Sequence, residues 1–393
     1  MYRNFGDVRP GSELTLEVNI SNSGQSDLIV RSVSLRRGTE CPLTPGTVVR
    51  PGTSLAVPVT LKISEEAYGT ESGGVSFVVN DPAGGRCLLI QRLPAPENCC
   101  NGSITKYVIM FRIVEKRLLA PDIWLMNVEA PRVAKAAQPG QFVIVRGTDD
   151  GERIPLTVAD YDREQGTISI VIQAVGASTR KIVALEEGGA LADFAGPLGQ
   201  PSEFIHETPE ALRARKFLFI AGGVGAAPVY PQVKWLHEHG VEADVIVGAR
   251  NREMLIITDE LRKVAGNLYL STDDGSAGFH GNVTALMKDL IDNRGKRYDE
   301  IVTIGPMIMM KFVALAAREY GIRTIASLNT LMIDGTGMCG ACRVSIGGKM
   351  KFACVDGPEF DASLIDFDEA MRRQRMYKSK ESVADHRCRI GRG

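Results

Sequence analysis

Four side chains have the types and spacing of a metal site. Asp334, Cys339, Cys342 and Cys354 read D-x4-C-x2-C-x11-C within "MIDGTGMCGACRVSIGGKMKFACVDG". Thiolates at such intervals point to iron, because C-x4-C-x2-C with a distant fourth Cys is a 2Fe–2S spacing. Here Asp334 stands where the first Cys of that spacing would be. Both ligand types are anionic, so the exchange keeps the formal charge while replacing a soft sulfur with a hard oxygen. Gly335, Gly337 and Gly340 suit a loop that wraps closely round a cluster, with backbone N–H groups free to point at sulfur. Three other readings share the pattern: a structural zinc site of three Cys and one Asp, reduced thiols without a metal, and a 2Fe–2S site whose fourth ligand lies elsewhere, Cys388 being the outsider.

A second chemistry is written in glycine. "FLFIAGGVGAAPVYPQVKWL" places Gly222, Gly223 and Gly225 between an apolar strand and a helix with Pro228 in its first turn. Glycines there let the backbone approach a pyrophosphate, and the helix start supplies free N–H groups. "STDDGSAGFHGNVT" and "TIGPMIMMKFV" fall where neighbouring strands should end, so Asp273, Asp274, Gly275, Gly305 and Pro306 could line the same crevice. In "ERIPLTVAD", Arg153 and Thr157 project to one face of an extended strand, roughly 13 Å apart. Such a pair could hold a phosphate at one end and a polar ring atom at the other. "VGASTR" offers Gly176, Ser178 and Thr179 at a helix start. Read singly, each of these is equally compatible with ordinary turn, strand or capping chemistry.

The elements that must position these groups fall into blocks. Residues 1–95 alternate apolar and polar in short runs such as "LTLEVNIS" and "LAVPVTLKI", the pattern of a β-sandwich. Residues 96–105 are a turn-rich linker, and 106–200 read as six strands closed around one helix, "STRKIVALEE", a small barrel. Residues 214–328 alternate strands with helices and predict a doubly wound parallel sheet. The cysteine region, 329–380, ends in a helix charged all round, best read as a solvated face, and 381–393 form a polar tail expected to be disordered. The fold class is therefore multidomain β plus α/β.

A net charge of −1 and 24% charged residues give no electrostatic case for nucleic acid or a membrane surface. No stretch reaches the ~18 uninterrupted apolar residues of a membrane span, and "MYRNFGDVRPGSELTL" has no apolar h-region, so neither secretion nor a span is expected and the chain reads as cytoplasmic. In a reducing compartment, three clustered cysteines favour metal binding over cross-linking. Cys99 and Cys100 read as inert linker thiols, and Cys41 and Cys87 as small buried apolar groups. No His joins a Ser or Cys in a nucleophile arrangement, so hydrolysis has no support.

The order of parts resembles the ferredoxin–NADP reductase superfamily, in which an FAD-binding barrel precedes an NAD(P)-binding domain and Arg-x-Tyr-Ser/Thr touches the flavin. The barrel motif here, Arg-Ile-Pro-Leu-Thr, is one residue longer. With the cysteine cluster, the match narrows to iron–sulfur flavoproteins related to the electron-transfer subunit of dihydroorotate dehydrogenase. It is most similar to the small (alpha) subunits of NADH-dependent reduced ferredoxin:NADP oxidoreductases, of the sulfide dehydrogenase small-subunit type. That likeness runs from about Tyr107 to Tyr377, through "VEAPRVAKAAQPGQFVIVR", "GPLGQPSE", "AGGVGAAPVYPQ", "TDDGSAGFHGNVT" and "FACVDGPEFD". The N-terminal block instead resembles immunoglobulin-like domains, through "NFGDVRPGSELTLEVNISNSGQSDLIV" and "VVRPGTSLAVPVTL", and is foreign to that pattern.

By this resemblance, Arg153, Pro155, Leu156 and Thr157 would contact FAD, with Arg153 at a phosphate and Thr157 at the flavin as the catalytic candidate. Gly176, Ser178 and Thr179 would meet its pyrophosphate region. Gly222, Gly223, Gly225, Asp274 and Gly305 would receive NAD(P)H, and Asp334, Cys339, Cys342 and Cys354 would hold the 2Fe–2S cluster. The resemblance also implies a larger partner subunit carrying another flavin and 4Fe–4S clusters, with ferredoxin served through the complex and electron bifurcation belonging to the assembly. Two other roles share these parts: the electron-transfer subunit of a dihydroorotate dehydrogenase or sulfhydrogenase complex, and a redox sensor or adaptor without turnover. Asp334 speaks against the dihydroorotate dehydrogenase type, whose cluster has four Cys.

Overall fold

The computed structural model describes residues 2–7, 13–21, 26–35, 39–62, 72–79, 86–93, 111–148 and 151–389. The chain divides into two compact units, Met1–Ile109 and Met110–Gly393. The linker read at 96–105, with Cys99 and Cys100, lies outside the described residues.

Among its described residues, the first unit forms two sheets. One runs in the order Tyr2–Asp7, Arg86–Leu93, Ser72–Val79, Leu28–Leu35, Val48–Val49, and the other in the order Glu13–Ser21, Ser54–Lys62, Thr39–Glu40. Along Ser54–Lys62 every second side chain, Val57, Val59 and Leu61, is buried, as the two-residue period of a strand requires. Cys41 is half-buried, not enclosed as its residue type suggested, and the surroundings of Cys87 lie outside what is described.

The second unit begins with a seven-stranded antiparallel sheet, in the order Ala190–Leu191, Phe111–Ala120, Ile123–Glu129, Thr167–Gln173, Ile154–Asp162, Phe142–Arg146, Asp193–Leu198. Alternation is clean in Thr167–Gln173, where Ile168, Ile170 and Ile172 point into the core. The expectation of six strands and one helix needs correction, because Ala190–Leu191 adds a strand and Pro131–Ala136 forms a second helix. Six residues are too few to show a helical period, and only Pro131 at the first helical position marks the start. The expected helix "STRKIVALEE" is Ala177–Val183.

The nucleotide-type sheet runs Phe279–His280, Asn267–Thr272, Asp244–Ala249, Phe217–Gly222, Glu300–Ile304, Arg323–Ser327, Glu359–Asp361, parallel except for the last strand. Phe217–Gly222 is buried along its whole length. Phe217, Phe219 and Ala221 pack on one face against Val229, Val233 and Leu236, and Leu218 and Ile220 on the other against Met287, Leu290 and Val313. Covering both faces leaves this strand uniformly apolar. Strand order reverses between Phe217–Gly222 and Glu300–Ile304, so the crevice of an open α/β sheet falls there. Ion pairs Lys234–Asp160 (2.9 Å) and Arg117–Glu260 (3.3 Å) join this domain to the barrel.

The cysteine region does not stand apart, since Glu359–Asp361 closes one edge of the nucleotide sheet. The expected single charged helix is two, Phe367–Gln374 and Lys378–Arg389. The first buries Phe367 and Ala370, so it is an amphipathic packing element and not a fully solvated one. The second overturns the disordered tail as far as Arg389, held by an Arg180–Asp385 ion pair at 2.9 Å. Among the described residues no helix is long and apolar enough to cross a membrane.

Candidate functional site

The barrel strand Ile154–Asp162 pairs with Phe142–Arg146, setting Thr157 opposite Phe142, Leu156 opposite Val143 and Pro155 opposite Ile144. Arg153 stands just before that strand. Its Nη1 donates to Asp193 Oδ2 at 2.8 Å and its Nε to the Ile333 carbonyl at 3.2 Å, so it ties the barrel to the residue before Asp334. Gly176 and Thr179 form a reciprocal cap: the Gly176 N–H donates to Thr179 Oγ1 and that hydroxyl donates to the Gly176 carbonyl, both at 3.0 Å. The Ser178 hydroxyl donates to Glu152. A Cβ at Gly176 would meet no atom within 4 Å, so open space lies beside this turn.

At the reversal of strand order, the glycines divide into two kinds. A Cβ at Gly225 would strike the Ile304 carbonyl oxygen and lie 3.1 Å from the Gly305 Cα, and one at Gly305 would lie 3.0 Å from the Gly222 N. These glycines are required by backbone meeting backbone at the switch point. Gly223 differs, with φ +55° and nothing within 4 Å of an added Cβ. It presents bare backbone to open space.

Asp274 lies beyond the end of Asn267–Thr272, two strands from the glycine turn and so roughly 10 Å away. Its carboxylate accepts the Ser276 N–H at 2.9 Å and the Ser276 hydroxyl at 2.6 Å, and these bonds hold it below the usual carboxylate range. The backbone of Asp273 and Asp274 is fastened to the Ala249 and Arg250 carbonyls, at 3.1 and 3.2 Å. Asp274 therefore shapes its own loop.

In the cysteine loop, Cys342 and Cys354 are buried with their sulfurs 3.2 Å apart, and Cys339 is exposed. Cys342 starts the turn into the hairpin of Arg343–Ile346 and Lys349–Phe352, and Cys354 rides the short helix Ala353–Asp356. Asp334 Oδ1 accepts from the Thr336 N–H at 2.9 Å and Oδ2 from the Cys339 N–H at 3.0 Å. Burial works to raise the Asp334 pKa, but the bonds from Thr336 and Cys339 outweigh it and hold the carboxyl low. Burial, then the Cys342 neighbour, push the Cys354 thiol up to about 12, and the Asp334 charge adds to the rise. A metal arriving here must displace that proton.

Gly335 and Gly337 have φ of +76° and +80°, and a Cβ at Gly335 would lie 2.7 Å from both Ile144 Cδ1 and Leu198 Cδ1. The loop is thus laid against the barrel. Among the described residues no group of three or more His, Cys, Asp or Glu side chains converges as a finished ligand shell. The donors nonetheless fit an iron–sulfur group in kind: a carboxylate and a thiol on the glycine loop and two free thiols at the two ends of the adjoining hairpin, their sulfurs 3.2 Å apart, with Cys339 and Asp334 at the rim. Cys388 lies in the helix Lys378–Arg389, which packs on Ala177–Val183, outside this loop.

Sequence reasoning missed Glu152 and Asp193 as partners of Ser178 and Arg153, and the Ile333 carbonyl, 180 residues from Arg153. No periodicity could have found these, because each joins segments distant in the chain.

Residues 329–366 match the iron–sulfur cluster binding domain of dihydroorotate dehydrogenase B. An uncharacterized protein in the adh 3′ region of Clostridium beijerinckii is 59% identical over 275 residues, 70% of this chain and 93% of that protein. A homolog of the dihydroorotate dehydrogenase B (NAD(+)) electron transfer subunit from Thermotoga maritima is 44% identical, over 70% of this chain and 94% of its own. The solved structure of NADH-dependent reduced ferredoxin-NADP oxidoreductase, described for flavin-based electron bifurcation, contains a chain 42% identical with a TM-score of 0.65, covering 72% of this chain and 99% of that one. A barrel, a nucleotide sheet and a cysteine loop in this order, matched at this identity over nearly the full length of such relatives, identify the chain as a member of the dihydroorotate dehydrogenase B electron transfer subunit family and its homologues.

Proposed function

We propose that this protein is an FAD- and 2Fe–2S-containing oxidoreductase subunit that moves electrons between NAD(P)H and an iron–sulfur partner subunit. The observation that carries the reading is the 42% identity to a chain of NADH-dependent reduced ferredoxin-NADP oxidoreductase, over 99% of that chain's length. In the finer form, the partner is a larger flavin- and 4Fe–4S-containing subunit, ferredoxin is served through the complex, and the assembly is a bifurcating ferredoxin:NADP transhydrogenase. A second reading, the electron-transfer subunit of a dihydroorotate dehydrogenase complex, is favoured by the name of the domain matched at 329–366. Asp334 in place of a fourth cysteine weighs against it.

When bound, a flavin converts two-electron hydride chemistry into single-electron chemistry, which a nicotinamide and a cluster cannot do between themselves. The chain's part is placement. Arg153 holds the cluster loop against the barrel and would be the cation for a flavin-nucleotide phosphate, Pro155 and Leu156 would also contact the flavin nucleotide, and Gly176, Ser178 and Thr179 would meet its pyrophosphate. Thr157 would donate a hydrogen bond to the flavin ring. Gly223 opens its backbone to the nicotinamide nucleotide in a crevice that Gly222, Gly225 and Gly305 shape, and Asp274 braces the crevice's far loop. Asp334, Cys339, Cys342 and Cys354 hold the cluster.

The test is the visible and EPR spectrum of anaerobically purified protein, before and after NADH. A flavin band together with a rhombic reduced 2Fe–2S signal is expected; zinc content with neither signal would overturn the reading. Replacing Thr157 by the near-isosteric valine removes one hydrogen bond, about 1–1.5 kcal/mol. Flavin reduction by NADH in Thr157→Val should slow about tenfold in stopped-flow traces, with the fold retained.

A further inference from the structure

A half-buried carboxyl, in contact with the fully buried Gln232, lies where three parts of the second unit meet, and the electron-transfer reading does not use it. Glu359 belongs to the edge strand Glu359–Asp361, five residues beyond Cys354, and pairs with Ser327 at the carboxyl end of Arg323–Ser327. Gln232, on the helix Ala226–Glu238 and fully buried, donates Nε2–H to Glu359 Oε1 at 2.9 Å. From the barrel side comes the turn of Gly140 and Ser202: the Ser202 N–H donates to the Pro139 carbonyl at 2.9 Å, and a Cβ at Gly140 would lie 2.5 Å from Ser202 Oγ and 3.0 Å from Glu359 Oε1.

The hydrogen-bond inventory there is incomplete. Gln232 Oε1 and Ser202 Oγ are both buried and make no hydrogen bond of normal geometry among the described residues, although the Ser202 hydroxyl lies near enough to the carboxyl to favour its charged form. A carboxylate can only accept, so an ionised Glu359 leaves the Gln232 oxygen without a donor. A protonated carboxyl has a donor to offer beside it, and an ionised one has none. The charges facing the group are carboxylates, Glu203 and Glu300. Arg323 is held by both of these, at 2.5 and 2.6 Å, and Arg215 by Glu300 at 3.0 Å, so those cations are engaged elsewhere.

We propose that Glu359, Gln232 and Ser202 form a proton-binding site at the junction of barrel, nucleotide domain and cluster segment, locking the three together when the carboxyl is protonated and loosening them when it ionises. Burial pushes the Glu359 carboxyl up to about 7, and Glu203 and Glu300 add to this against the pull of Ser202 and Gln232. The folded-state value lies above that of an unfolded glutamate, so the lock is complete in mild acid and is lost as pH rises through about 7. This goes beyond the electron-transfer reading and does not depend on it.

The test is pH-difference infrared spectroscopy of the full chain, paired with thermal unfolding. A carbonyl-stretch band of a protonated, enclosed carboxyl should disappear around pH 7 and be absent from Glu359→Gln. The wild-type Tm should fall as pH rises from about 4.5 towards about 7 and level off above it, and the fall should be lost in Glu359→Gln, whose amide keeps the acceptor and adds a donor. Gln232→Leu, which removes both the N–H that favours the ionised form and the oxygen open to the carboxyl proton, should move the pH at which the band disappears away from the wild-type value and gives a reading even where Glu359→Gln folds poorly. A wild-type spectrum with no such band, or a band or Tm slope that persists in Glu359→Gln, overturns the proposal.

Discussion

Replacing Asp334 with alanine is expected to lower the iron and sulfide content of the purified protein about tenfold or more, a loss at least as large as that from disturbing a group that merely supports a ligand. Two causes act together. The carboxylate is the candidate fourth ligand, and it also accepts the Thr336 and Cys339 N–H groups that set the loop's turn. Each lost bond costs about 1 kcal/mol at such partly exposed groups. Asp334→Asn separates the two roles, because its amide oxygen still accepts one loop N–H but carries no charge to balance iron. Iron content should then fall in Asp334→Asn nearly as far as in Asp334→Ala, whereas Asp334→Cys should retain a cluster with an altered potential. Full iron content in Asp334→Asn would reduce Asp334 to a loop-shaping residue and remove it from the ligand set.

Gly225→Ala should be the most damaging change in the nucleotide crevice. The added Cβ meets the Ile304 carbonyl, and this is backbone of the adjoining central strand, which cannot swing away like a side chain. Overpacking of this kind costs about 1–3 kcal/mol. The strand end carrying Gly305 must shift with it, so NADH affinity measured by flavin-quench titration should fall about tenfold or more. Flavin and iron content should be kept, because the barrel and the cysteine loop are built from other segments. Gly223→Ala is the contrasting case. Its φ of +55° imposes about 1–2 kcal/mol on any L side chain, but no atom opposes the methyl group. Its Tm should drop less than that of Gly225→Ala, with the loss concentrated in nucleotide binding. Equal Tm losses with unchanged NADH affinity in both would detach this turn from the nucleotide.

Local pattern carried much of this architecture into the sequence. A strand buried on both faces must be apolar throughout, so "FLFIA" announced the central strand. A half-buried strand alternates, so "TISIVIQ" announced a barrel wall. Elements too short to repeat a period were silent: the helix Pro131–Ala136 and the strand Ala190–Leu191 carry too few residues to display a recurring pattern. The helix Phe367–Gln374 was misjudged for another reason. Its charges dominate its composition, yet burial of Phe367 and Ala370 is enough to seat it.

The candidate site divides along the same line. The sequence by itself determined the chemistry: three thiols and an acid at iron-binding intervals, and glycines at a strand-to-helix turn. Only the tertiary structure decided what each group does there. It turned the Asp334 carboxylate onto its own loop, engaged Asp274 with Ser276, and tied Arg153 to the Ile333 carbonyl. It also separated Gly225, enclosed by backbone, from Gly223, facing open space. The physical reason is range. Ligand type and backbone period act within a few residues and leave a repeat that can be read, whereas Gln232 and Glu359 meet across 127 residues, a contact set by the packing of whole elements.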